Sequence, residues 1–149
     1  MGANMIVAIL AAAALAQWTG PRTVEYRGPG FFCGGGYSVS LGPGERALVL
    51  PQGQAPQATR LVFSAGEVNV QSGARPQPGP VVRRYGGTVV TRAGDSEGVT
   101  YIVSDETGFG LRVTSSAFHG PKSDRWFFNK ANFADHADEG VNCLAGFSN

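Results

Sequence analysis

Along most of the chain the apolar positions recur at every second residue. Tyr37, Val39 and Leu41 alternate with Ser38 and Ser40, and Val68 and Val70 alternate with Glu67, Asn69 and Gln71. Over 108–114, Phe109, Leu111 and Val113 oppose Arg112 and Thr114. Successive side chains leave opposite faces of a pleated strand, so a period of two marks a strand with one buried face. The same pattern predicts strands over 23–27, 46–50, 60–64, 87–92 and 99–104, and a last one over 141–144. The segments between them, "LGPGE", Ala65-Gly66, "AGDSEG" and "DETG", carry the residues that turns require. "ARPQPGP" cannot lie in a central strand, because proline offers no N–H to a ladder, and it reads as a surface crossover. One short helix is expected over 130–137, capped by Asn129 and ended by Gly140. Trp126-Phe127-Phe128 is the densest aromatic stretch and belongs to the core, and Phe31 and Phe32 are expected as further core anchors.

About eight short strands in 149 residues describe an all-β fold, a small single-domain β-sandwich or barrel with one short C-terminal helix. Composition agrees. At 42% apolar and 15% charged residues the chain is too hydrophobic to be disordered, and 22 glycines provide for many turns. A net charge of +1 argues against a dedicated nucleic-acid binder.

Residues 5–16, "MIVAILAAAALA", form an uncharged apolar run too short to span a bilayer, ending in the small-x-small pattern that signal peptidase cuts. The expected division is a signal peptide over 1–16, removed between Ala16 and Gln17, and a single β-rich domain over 17–149 with no stable membrane span. The location implied is periplasmic or secreted. An oxidising compartment makes Cys33 and Cys143, the only cysteines, a disulfide pair joining the start of the domain to its end.

The cysteine lies in "GFFCGGGYSVSLG", whose glycines invite comparison with a phosphate-binding loop. Such a loop needs a following helix and a Lys-Ser/Thr pair, and here a strand follows and lysine is missing. The stretch reads instead as a bend before a strand. No cofactor is called for. His119, Ser116 and Asp124 supply the side chains of a hydrolytic triad, without the strand–turn–helix motif that presents a nucleophile. Asp135, His136, Asp138 and Glu139 are the metal-ligand types grouped near the C-terminus, where an exposed acidic helix end is the plainer reading. Charge is uneven along the chain. Residues 17–92 hold eight arginines against three glutamates, and residues 93–149 hold four basic against eight acidic side chains. Halves on separate faces would make the domain electrically polar. Arg83, Arg84 and Tyr85, beside the proline segment, combine residue types favoured at interfaces and form the candidate binding site for an anionic partner.

"FFCGGGYSVSL", "SGARP" and the late Cys143 resemble the bacterial periplasmic inhibitors of c-type lysozyme, small β-barrels with an early cysteine paired to one near the C-terminus. Pro76 stands where that family carries a tyrosine, and "WFFNKA" lies far from it. The resemblance implies a barrel that inhibits a cationic hydrolase. The leading expectation from the residues is an exported, non-catalytic β domain that binds an envelope protein or ligand; a small hydrolase using His119 is the enzymatic alternative.

Overall fold

The structure is a computed structural model describing residues 23–50, 58–93, 98–134, 137 and 139–148. The expected signal segment lies outside the described residues. Ten strands precede the helix: β1 Val24–Arg27, β2 Gly30–Gly34, β3 Tyr37–Leu41, β4 Arg46–Val49, β5 Ala58–Phe63, β6 Gly66–Ser72, β7 Val81–Tyr85, β8 Thr88–Ala93, β9 Thr100–Ser104 and β10 Gly110–Thr114. Helix α1, Arg125–Lys130, and two short strands, β11 Ala131–Asn132 and β12 Phe147–Ser148, complete the order. The fold is all-β with one short helix, as the alternation predicts.

Two antiparallel sheets form. Nine strands run in the order β12-β1-β4-β5-β6-β10-β9-β8-β7, and three in the order β11-β3-β2. The large sheet is open, with β12 and β7 at its edges. The barrel implied by the lysozyme-inhibitor resemblance is therefore not the arrangement found. The small sheet and α1 cover one face of the large sheet. Phe32, Tyr37, Val39 and Leu41 from the small sheet, and Phe127 and Phe128 from α1, meet Leu61, Val68, Val90, Tyr101, Leu111 and Val113 in one cluster.

The opposite face is crossed by the proline segment. β6 and β7 adjoin in sequence, but β10, β9 and β8 lie between them in the sheet. Residues 73–80 span that distance. The N–H groups of Gly73 and Ala74 donate to the Gly110 carbonyl at 3.1 and 3.2 Å, and Arg92 N–H donates to the Pro80 carbonyl at 3.1 Å. The chain lies so close that a Cβ at Gly110 would collide with the Ala74 carbonyl. Three prolines lose no ladder bonds in such a strap.

The disulfide is present. Cys33 and Cys143 join with Cα atoms 5.7 Å apart across 110 residues of sequence. Leu144 N–H donates to the Phe31 carbonyl at 2.8 Å, so the C-terminal segment runs along β2. Only a single parallel bridge, Phe31 to Cys143, forms there instead of the strand expected over 141–144; the last strand is β12.

Two other expectations are corrected. The helix lies at Arg125–Lys130, earlier than 130–137, and Asn129 is inside it rather than capping it. Adjacent aromatic residues explain the shift. A strand sends neighbours to opposite faces, whereas one helical turn carries both Phe127 and Phe128 into the core, at 0% and 3% exposure. The chain then straightens because Ala131 and Asn132 pair with Val39 and Ser38 at the edge of the small sheet. The second correction concerns Phe31, which is 43% exposed while Phe32 is buried, as alternation along β2 requires.

Closing a loop of 110 residues constrains the unfolded chain strongly. The Cys33→Ala/Cys143→Ala double variant should lose about 2–5 kcal/mol of stability by urea unfolding. An unchanged midpoint would show that the C-terminal segment is held without the bond.

Candidate functional site: a cationic pocket between an edge strand and the helix

Strand β7 is the free edge of the large sheet beside β8. Arg83 and Tyr85 are two residues apart, so both point to the face that carries α1, and Arg84 points away into solvent. A register shift between Val81 and Arg83 interrupts the alternation. Bulges re-aim side chains, and here Val82 and Arg83 both line one pocket with Pro121, Lys122, Arg125 and Phe128. Its volume is about 350 Å³. Among the described residues, three cations and three apolar side chains make its walls, with no carboxylate. Among the described residues none of the three cations forms a salt bridge.

Arg83 is held in place. Its Nη1 donates to Asn129 Oδ1 at 2.8 Å, and its guanidinium carbon lies 5.1 Å from the Tyr85 ring centroid. The Tyr85 hydroxyl donates to the Phe128 carbonyl at 2.7 Å, satisfying one of the carbonyls left over at the helix end. Burial pushes the Tyr85 hydroxyl up to about 12, against the pull of the Arg83 charge. It stays a neutral donor throughout the physiological range.

The opposite wall is set by Asp124, which is 0% exposed. Its Oδ1 accepts the His119 N–H at 2.9 Å, and its Oδ2 accepts the Gly120 N–H at 2.9 Å and the Tyr101 hydroxyl at 2.6 Å. Burial, with the Asp124 carboxylate acting in the same direction, pushes the Tyr101 hydroxyl above the usual tyrosine range. These bonds fold 119–124 into the tight loop that presents Lys122 and leads into Arg125. Arg125 Nε in turn donates to the Lys122 carbonyl at 3.3 Å.

The far end of α1 is anchored by a second buried carboxylate. Lys130 Nζ meets Glu45 Oε1 at 2.8 Å, and Glu45 also accepts the N–H groups of Gly42 at 2.7 Å and Ser64 at 2.9 Å. Burial alone would raise the Glu45 carboxyl; the Lys130 ammonium and the two N–H donors more than offset this and hold it down to about 2.

Of the residues expected to bind, Arg83 lines the pocket, Tyr85 packs against its guanidinium without lining the pocket, and Arg84 points away. Lys122 and Arg125 were not anticipated. The signal available was their spacing of three, with Lys122 one of only two lysines in the chain. The triad residues are not assembled: His119 and Ser116 are exposed, and Asp124 binds the His119 backbone while no hydrogen bond links it to the imidazole. Asp135, His136 and Asp138 lie outside the described residues, and Glu139 is exposed. The two charge halves interleave instead of dividing the surface. β6 from the first pairs β10 from the second, and the cationic pocket draws on both. A second pocket of about 330 Å³ lies under the proline strap and is lined in part by Arg75 and Arg112.

No protein-family model, curated protein or solved structure matches the chain, and no described helix is long and apolar enough to cross a membrane.

The depressed Glu45 carboxyl makes stability depend on pH. Its folded value of about 2 lies below its ordinary 4.5, so its contribution is complete above pH 4.5 and is lost as pH falls toward 2. Glu45→Gln should cost about 1.5–3 kcal/mol at pH 7 and flatten the acid limb of the urea midpoint between pH 5 and 2. An equally steep limb in the variant would place the acid sensitivity elsewhere.

Proposed function

We propose that the chain is an exported, non-catalytic β domain that binds an anionic group of an envelope protein or ligand in the pocket between β7 and α1. One observation carries the reading: Arg83, Lys122 and Arg125 line a single pocket with no carboxylate among its described lining residues. Cations gathered without counter-charge repel one another, and an incoming carboxylate or phosphate relieves that repulsion. Arginine adds a planar set of donors suited to either group. Val82, Pro121 and Phe128 make the rest of the wall apolar, which favours an anion attached to a hydrocarbon or aromatic body over a free inorganic ion. The Cys33–Cys143 bond supports export, because disulfides persist in oxidising compartments.

Octyl phosphate and octyl glucoside separate charge from tail. Titrated into isotopically labelled protein, octyl phosphate should shift the amides of Val82, Arg83, Lys122 and Arg125 saturably, and octyl glucoside should not. Combining Arg83→Glu with Lys122→Glu should weaken the phosphate at least about tenfold, the order expected when charge-assisted hydrogen bonds become repulsions. Equal shifts from both amphiphiles, or unchanged affinity in the double variant, would reject the site.

A further inference from the structure

The pocket under the proline strap has a different chemistry from the one beside α1. Arg112 stands on its sheet side, on β10, a strand with a neighbour on either hand. Leu111 and Val113 enter the core, so Arg112 leaves the opposite face. Across the ladders it faces Gln71 on β6 and Ile102 on β9. Along β10 the next positions on that face are Gly110 and Thr114, and the diagonal position beside Thr114 is Asn69. No neighbouring position of the sheet therefore offers a carboxylate to Arg112. Glu67, farther along the same face of β6, is engaged by Arg60 at 3.8 Å. Arg112 is nonetheless partly buried.

The strap brings a second guanidinium to the same space. Ala74 is fixed by its N–H bond to the Gly110 carbonyl at 3.2 Å, and Arg75 follows directly, ahead of Pro76, whose ring restricts the backbone. Among the described residues neither Arg75 nor Arg112 joins an ion pair. Gln71 from the sheet and Gln77 from the strap add amide groups, and Ala74 is the sole apolar side chain among the described lining residues. The volume is about 330 Å³, within the range of roughly 300–1,000 Å³ usual for small-molecule sites.

A cation partly withdrawn from water without a counter-charge is costly, and a second one nearby adds repulsion. An oxyanion offsets both, and each guanidinium can offer it two parallel donors. Glutamine amides both donate and accept, as hydroxyl groups require of a partner. An alkyl chain would find almost no apolar wall here. We infer that the strap pocket binds a small, hydroxylated oxyanion of about the size of a sugar acid or sugar phosphate, its charged group between Arg75 and Arg112 and its hydroxyls on Gln71 and Gln77. The inference rests on residues separate from those of the pocket beside α1, which favours an anion with an apolar body.

Glucuronate and glucose 6-phosphate are the probes, with glucose as their uncharged counterpart. At least one of the two anions should shift the amides of Gly73, Ala74, Arg75, Gln77 and Arg112 saturably in labelled protein, and glucose should act at least about tenfold more weakly. Arg112→Gln should weaken the anion at least about tenfold while unfolding at the same or a higher temperature, since the charge it removes had no partner. Arg75→Gln, on the exposed strap, should weaken binding and leave the unfolding temperature unchanged. Octyl phosphate should shift Val82 and Lys122 but not the strap amides, so either site can fail without the other. No saturable shift from either anion would overturn the inference. Glucose as effective as the anions would overturn the charge assignment, and undiminished binding by both variants would overturn the role of the arginines. Octyl phosphate binding at the strap as tightly as the probes would overturn the preference for a hydroxylated ligand.

Discussion

A six-residue helix is too short to be stable by itself, and α1 persists because a buried carboxylate fixes each of its ends. Asp124 gathers two backbone N–H groups and the Tyr101 hydroxyl at the start. Glu45 gathers two N–H groups and the Lys130 ammonium at the finish. Neither carboxylate caps the helix in the usual sense. Asp124 makes no side-chain bond to the first turn and binds the loop behind it. The helix is thereby tied to strand β9 at one end and to the turns after β3 and β5 at the other. Between these ties Phe127 and Phe128 pack into the core, with ring centroids 4.9 Å apart for Tyr101 and Phe128 and 5.9 Å apart for Phe63 and Phe127.

The cationic pocket follows from that placement. With the helix fixed, Tyr85 and Arg83 on the edge strand can each bond to it, and the loop that Asp124 folds carries Lys122 to the same opening. An edge strand is normally a liability for unintended pairing, which charges and bulges reduce. β7 carries both, in Arg83, Arg84 and the register shift at Val81. Of these, Arg83 also lines the pocket while Arg84 faces solvent, so a single short strand answers two demands. The two carboxylates that shape the site are not among the residues that line it, and each is held by donors of the surrounding loops, strands and helix end.

Much of the fold is legible in the pattern of side chains. β3 begins and ends where alternation from Tyr37 to Leu41 places it, and β6 and β10 differ from expectation by one or two residues at their starts. The disulfide follows from the two cysteines read with an expected oxidising compartment. What escapes the pattern depends on partners distant in sequence. Trp126-Phe127-Phe128 has no periodicity of its own, and its helical form is decided by the sheet face that receives it. β2 hides among glycines because its pairing with β3 is set by a turn whose geometry only glycine tolerates. The site was half legible. Arg83 and Tyr85 stand out as interface residue types, but strand alternation removes Arg84 from them, and Lys122 and Arg125 join only through a buried hydrogen-bond network that no local spacing announces.

Determining the structure of crystals grown with octyl phosphate is the most direct test of the account. The phosphate should lie among Arg83, Lys122 and Arg125, with the alkyl chain against Val82, Pro121 and Phe128 and the helix unmoved. A phosphate bound instead beside Arg75 and Arg112 under the proline strap, or a pocket rearranged because α1 shifts from its two carboxylate anchors, would contradict it.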